Sequence, residues 1–119
     1  MGAQIMGLAG NILTVKVTGR LVYSEHIEVQ RAAAQVLKEH GPLRLLILTE
    51  DFQGWAKGGD WGDLSFQIDN DPLIEKMAIV AGEDWEDLVL LFSGRGLRSF
   101  PIEHFPLADE ARARAWLAA

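Results

Sequence analysis

Two adjacent carboxylates, Glu50 and Asp51, are the first residues in this sequence that suggest chemistry. A carboxylate pair can serve as general acid and base, or bind a metal ion, when both groups converge on one point. Neighbouring residues at the end of a strand point apart. We therefore expect the two side chains to accept hydrogen bonds from loop amides or to pair with Arg20 or Lys57.

A glycine-rich segment follows the two carboxylates. Gly54, Gly58, Gly59 and Gly62 resemble a phosphate-binding loop at first sight. A Walker A motif, however, requires a lysine and then a serine or threonine directly after its last glycine. Asp60 follows Gly59 instead, and a carboxylate at a helix N-terminus occupies the position that a phosphate needs. The glycines therefore predict tight turns rather than nucleotide binding.

Histidine, serine and cysteine give little support to metal or nucleophile chemistry. The three histidines are His26, His40 and His104. They fall on separate predicted elements and lack the spacing of metal ligands. The serines stand outside any G-x-S-x-G turn, and the chain has no cysteine. We expect no cofactor and no metal.

The composition is that of one globular domain. The chain has 119 residues, 49% of them hydrophobic, and a net charge of −6 that disfavours binding to nucleic acid or to anionic lipid surfaces. The first ten residues lack the features of a signal peptide, and the longest apolar strand-like run, Leu45 to Leu48, is far shorter than the roughly 20 residues of a spanning helix. We therefore expect a cytoplasmic protein without a membrane span.

Strand and helix patterns alternate along the whole chain. The predicted strands are Gln4 to Met6, Ile12 to Thr18, Leu43 to Thr49, Lys76 to Ala81 and Leu97 to Phe100. The predicted helices lie between a Ser24 cap and Gly41, after an Asp60 cap with Trp61, Leu64 and Ile68 on one side, after an Asp84 cap, and from about Leu107 to Leu117. This order predicts a single α/β domain, residues 1–119, with about four helices on a mixed, mostly parallel sheet of four to five strands.

Several of these segments resemble the SpoIIAA-like family, whose small bacterial proteins have a STAS-related fold and a distant likeness to CRAL-TRIO/Sec14 domains. The resemblance rests on Val17 to Leu21, Glu50 to Trp55, Asp60 to Leu64, Met77 to Gly82 followed by Trp85, Phe100-Pro101, and Ala115 to Leu117. It implies a mixed sheet and self-association, but no activity. Anti-sigma-factor antagonists of the wider fold switch by phosphorylation of a serine or threonine in the loop after a central strand. Here that loop, Glu50 to Gly59, has no serine or threonine.

Open α/β sheets bind their ligands at the carboxyl edge of the parallel strands. The loops Gly19 to Tyr23, Glu50 to Gly59 and Gly82 to Asp84 should meet there. Their candidate ligand-binding residues are Arg20, Tyr23, Glu50, Asp51, Trp55, Lys57 and Glu83. Among the tryptophans near this edge, Trp61 and Trp85 favour core packing, whereas Trp55 stands in a glycine-flanked loop and favours exposure or function.

These observations lead to one hypothesis and two alternatives. The hypothesis is a non-enzymatic binding module, a homodimer, that takes a small apolar ligand or a partner protein at the carboxyl edge. One alternative is a small enzyme in which Glu50 or Asp51 is the general base and Arg20 orients an anionic substrate. The other is a structural partner of a second protein.

Overall fold

One five-stranded sheet forms the centre of the computed structural model, which describes residues 2–119. The strands lie in chain order across the sheet and are β1 (Ala3–Ala9), β2 (Ile12–Thr18), β3 (Leu43–Glu50), β4 (Ile74–Val80) and β5 (Ile102–Phe105). Strand β1 is antiparallel to β2, and every other neighbouring pair is parallel. The predicted mixed, mostly parallel sheet is confirmed.

Four helices connect and cover the strands. They are α1 (Tyr23–His40), α2 (Ser65–Asn70), α3 (Glu86–Ser93) and α4 (Glu110–Ala118). Short 3₁₀ turns at Asp71–Leu73, Glu83–Trp85 and Leu107–Asp109 adjoin α2, α3 and α4. Within residues 2–119, none of the helices is both long enough and apolar enough to cross a lipid bilayer.

The helices form two layers, one on each face of the sheet. Because consecutive parallel strands are neighbours, right-handed crossovers put α1, α2 and α3 on the same face. The core on that face includes Leu37 of α1, Leu45 of β3 and Val89 of α3. On the other face, Leu117 of α4 packs against Leu46 of β3 and its neighbours. Both leucines, Leu37 and Leu117, are completely buried.

The predicted strand at Leu97 to Phe100 is wrong. The last strand is β5, which begins after Pro101 rather than ending at it. Proline lacks an N–H group but keeps its carbonyl, and the backbone N–H of Met77 donates to the Pro101 oxygen at 3.0 Å. Pro101 therefore adjoins the start of the edge strand instead of terminating an earlier one.

Three predicted helix caps are also wrong. Asp84 lies inside the 3₁₀ turn Glu83–Trp85 and does not cap α3, which begins at Glu86. Helix α1 begins at Tyr23, so Ser24 lies inside it and does not cap it. Helix α2 begins at Ser65 rather than after Asp60, because Asp63 supplies the acceptor: its Oδ1 receives the Ser65 backbone N–H at 3.0 Å and the Ser65 hydroxyl at 2.6 Å. Both bonds lower the pKa of Asp63, and the bond from the Ser65 hydroxyl has the larger effect.

Candidate functional site

The three loops predicted to converge at the carboxyl edge do meet. Backbone hydrogen bonds join the loops after β2 and β3, for example from Leu21 N–H to the Gly54 oxygen at 2.8 Å and from Ala56 N–H to the Leu21 oxygen at 2.9 Å. Gly54 also touches the segment after β4, since a Cβ atom at this position would lie 3.1 Å from Cη2 of Trp85. The carboxyl edge is therefore one connected surface.

A cavity of about 220 Å³ lies beneath this edge, between the sheet and helices α1, α2 and α3. The sheet contributes Val15 and Ile47, α1 contributes Val29 and Ala33, and α3 contributes Val89. An apolar cavity of about 150 Å³ in another protein binds benzene. The cavity therefore has the size and the lining to hold a small apolar molecule.

Aromatic rings form one wall of the cavity. The ring centroids of Trp55 and Phe92 are 4.9 Å apart, and those of Trp61 and Phe92 are 5.7 Å apart. The Nε1 atoms of Trp55 and Trp61 are buried, and neither has a hydrogen-bond acceptor within residues 2–119. Buried donors without an acceptor are uncommon in folded proteins. The two indole N–H groups in this wall could therefore still donate hydrogen bonds.

Three polar side chains also line the cavity, namely His26 and Gln30 of α1 and Gln67 of α2. His26 and Gln30 are one helical turn apart and therefore share a face of α1. Among residues 2–119, none of the three side chains makes a hydrogen bond, whereas Thr49 and Ser93 nearby donate to backbone oxygens. Burial lowers the pKa of His26, so its imidazole is neutral at neutral pH.

The charge of Arg98, another residue lining the cavity, is compensated within the chain. Its Nε donates to Asp71 Oδ2 at 3.0 Å, its Nη2 donates to the second carboxylate oxygen, and its Nη1 donates to the Ser93 carbonyl at 3.1 Å. The Arg98 side chain is only 7% exposed. A guanidinium held in this way has little charge left to offer a ligand.

Of the seven residues predicted to bind a ligand, Trp55 lines the cavity. It is half-buried and packs edge-to-face against Phe52, so it is not an exposed loop residue. Tyr23 does not line the cavity, and its ring lies 5.1 Å from that of Trp61 in a T-shaped contact. Of the two tryptophans expected in the core, Trp85 packs against the main hydrophobic cluster as predicted, whereas Trp61 lies outside both core clusters and lines the cavity.

The charged members of the predicted set lie outside the cavity and are exposed to solvent: Arg20, Glu50, Asp51, Lys57 and Glu83. The expected pairing of Glu50 with Arg20 or Lys57 is wrong. Strand β2 runs parallel to β3 and places Lys16 beside the end of β3, where its Nζ lies 3.4 Å from Glu50 Oε2. In the part of the chain that the structure describes, no group of three or more histidine and carboxylate side chains is arranged to hold a metal ion.

Comparison with protein families matches residues 12–118 to the SpoIIAA-like family. The chain belongs to the SpoIIAA-like family. Among solved structures, it is similar to an uncharacterised protein of the DUF3478 family with a SpoIIAA-like fold from Shewanella loihica PV-4. The two share 22% sequence identity with a TM-score of 0.71, over 98% of this chain and 93% of that chain.

No curated protein matches this SpoIIAA-like chain. The similarity to the Shewanella structure establishes the fold. The family and the fold bring no activity with them, so the case for a function rests on the chain's own cavity.

Proposed function

We propose that this protein is a non-enzymatic binding module that takes a small apolar molecule into the cavity between the sheet and helices α1, α2 and α3. The observation that carries the proposal is the cavity itself, about 220 Å³ in volume and lined mainly by aliphatic and aromatic side chains. Well-formed apolar pockets with a few polar groups are the usual sites for small ligands.

The position of the carboxylates favours binding over proton transfer. Glu50 and Asp51, the general bases of the enzyme alternative, are exposed and do not line the cavity. Glu50 also pairs with Lys16. A general base must lie within hydrogen-bond reach of the proton that it removes, and a molecule inside the cavity does not contact either carboxylate.

Titration calorimetry with ethylbenzene tests this proposal, because ethylbenzene is apolar, uncharged and only slightly larger than benzene. We expect saturable 1:1 binding to the unmodified protein. Ala33→Leu puts a larger side chain into the cavity from α1 and should weaken binding by about tenfold or more, since a filled cavity has no room for the ligand.

Ala32→Leu is the matched control, because the same substitution then lies on the exposed side of the same helix. It should bind ethylbenzene like the unmodified protein. Absence of binding to the unmodified protein, or equal binding by Ala33→Leu, would contradict the proposal. Circular dichroism verifies that both variants are folded.

Homodimer formation, binding of a partner protein and a cytoplasmic location stay predictions. Light scattering tests the first of these: a mass of twice 13.2 kDa is expected for the homodimer. A mass of one chain would contradict it.

A further inference from the structure

The lining of the cavity is not entirely apolar. His26 and Gln30 of α1 and Gln67 of α2 line it, and their side chains make no hydrogen bonds within residues 2–119. Their polar atoms are not fully buried, since the fully buried side-chain atoms without a partner in the described part of the chain are the Nε1 atoms of Trp55 and Trp61. A polar group of a ligand in the cavity could replace water as their hydrogen-bond partner.

The fully buried polar atoms that lack a partner in this region are donors. The buried indole N–H groups of Trp55 and Trp61 lack acceptors in the described part of the chain, and indole nitrogen can only donate. The amides of Gln30 and Gln67 can each donate or accept. An oxygen atom that accepts hydrogen bonds is therefore the best complement to the unpaired indole donors.

The charges around the cavity disfavour an ionised ligand. Among residues 2–119, Arg98 is the only cation that lines it, and Asp71 already neutralises that guanidinium. The carboxylate of Asp63 lines the cavity too, and would repel an anion. A buried carboxylate without a cationic partner is strongly unfavourable. An ammonium group could pair only with Asp63, which is exposed to solvent and whose Oδ1 already accepts two hydrogen bonds from Ser65.

We propose that His26, Gln30 and Gln67 form a head-group site that selects an apolar molecule carrying one uncharged oxygen function, such as a hydroxyl or a carbonyl. This inference rests on the proposed function, because it names the class of ligand for the same cavity. The apolar part of the ligand lies against Val15, Ile47 and Val89. Its oxygen lies between α1 and α2.

A pair of ligands with the same alkyl chain tests the choice of head group. Titration calorimetry at neutral pH compares 1-octanol with octanoate, which differ mainly in the charge of the head group. We expect octanol to bind at least about tenfold more tightly than octanoate, because the carboxylate finds no free cation. Equal binding of the two, or tighter binding of octanoate, would overturn the inference.

Two variants test the residues themselves. Gln30→Leu and Gln67→Leu keep nearly the same volume but remove the hydrogen-bonding groups. Each should lower the affinity for octanol relative to the affinity for ethylbenzene by roughly fivefold or more, because one hydrogen bond to the octanol hydroxyl is lost while apolar contact with the cavity wall is kept. Gln35→Leu, on the exposed side of α1, is the matched control and should change neither.

The results separate the two proposals. If ethylbenzene binds but Gln30→Leu and Gln67→Leu bind octanol like the unmodified protein, the head-group site is wrong and the apolar cavity stands. If ethylbenzene and octanol both fail to bind to the unmodified protein, the proposed function is wrong and the head-group site is wrong with it. A variant that does not fold is replaced by Gln30→Met or Gln67→Met.

Discussion

His26 is a titratable side chain held among aromatic rings. Its ring centroid lies 5.3 Å from that of Trp61 and 5.6 Å from that of Phe92. Burial lowers its pKa below the ordinary value of 6.5. Between the lowered and the ordinary pKa, the unfolded chain binds more protons than the folded chain, so acid favours unfolding. Above the ordinary pKa both states are neutral and His26 contributes no pH dependence.

We therefore predict that His26→Phe reduces the loss of stability on acidification. Urea unfolding between about pH 7 and pH 5 measures the free energy of unfolding of both proteins, and the decrease should be smaller in the variant. His40→Gln is the control, since His40 is exposed at the end of α1. An equal decrease in His26→Phe and the unmodified protein would contradict this account.

Arg98 and Asp71 form the most buried ion pair among the described residues, with side-chain exposures of 7% and 17%. Arg98→Met should lower the free energy of unfolding by about 3 kcal/mol, because it leaves the Asp71 carboxylate in a poorly solvated place without its partner. Arg114→Met removes a pair with Glu110 in which both side chains are 45% exposed. It should cost less than about 1 kcal/mol.

Urea unfolding of the two variants at neutral pH measures this difference. A cost for Arg98→Met no larger than that for Arg114→Met would show that water screens the buried pair as well as the exposed one. Adding Asp71→Asn to Arg98→Met should recover part of the loss, since the remaining buried charge is then gone.

Single residues of the site were harder to predict from the sequence than its location. Trp55 stood out because it is an aromatic residue in a glycine-flanked loop at the carboxyl edge. The polar residues of the cavity did not stand out. A signal was present in α1, where His26 and Gln30 continue the apolar stripe of Ala33 and Leu37 at helical spacing. Polar residues on a buried stripe indicate a cavity or a polar partner.

At the scale of elements, the connection between loops depends on Gly54. This buried residue has a φ of +88°, and a Cβ atom there would lie 3.1 Å from the Trp85 ring. Gly58 has a similar φ of +92° but nothing within 4 Å of the added atom. Both substitutions to alanine incur the cost of a left-handed conformation, but only Gly54→Ala also displaces a ring.

We predict that Gly58→Ala lowers the free energy of unfolding by about 1 kcal/mol and that Gly54→Ala lowers it by about 2 kcal/mol or more. Urea unfolding measures both values. Near-ultraviolet circular dichroism should change in Gly54→Ala, because Trp85 must shift, and stay constant in Gly58→Ala. Equal losses of unfolding free energy and unchanged spectra in both variants would mean that the Trp85 ring accommodates the added methyl group without a cost in stability.

The alternation of elements was predictable from the sequence, whereas several of their ends were not. Apolar runs and amphipathic stripes identify β3, β4 and α1 because burial on the sheet dictates those patterns. The start of α2 depends on which carboxylate accepts the first free N–H, and Asp60 and Asp63 are both plausible from their types alone. The start of β5 depends on the register with β4, which brings Met77 beside Ile102 and is a long-range property.

At the scale of the whole molecule, the sheet separates a helical layer that lines the cavity from a helical layer that does not. The cavity lies on the face covered by α1, α2 and α3, and α4 covers the opposite face. Two basic side chains of the sheet bind the end of α4: Arg44 donates a hydrogen bond to the Leu117 carbonyl, and Lys76 donates one to the Trp116 carbonyl. Stability can therefore be lost from the α4 layer without altering the cavity.

Leu117→Ala tests this separation, because Leu117 is fully buried in the α4 layer. The variant should lose about 2–5 kcal/mol of unfolding free energy through the cavity left by the missing atoms. Under conditions where it is fully folded, its dissociation constant for ethylbenzene should stay within about twofold of the unmodified protein. Ala33→Leu should show the reverse, with weak binding and little loss of stability. Impaired binding in folded Leu117→Ala would mean that the sheet transmits packing changes from one layer to the other, and that the cavity depends on the whole domain.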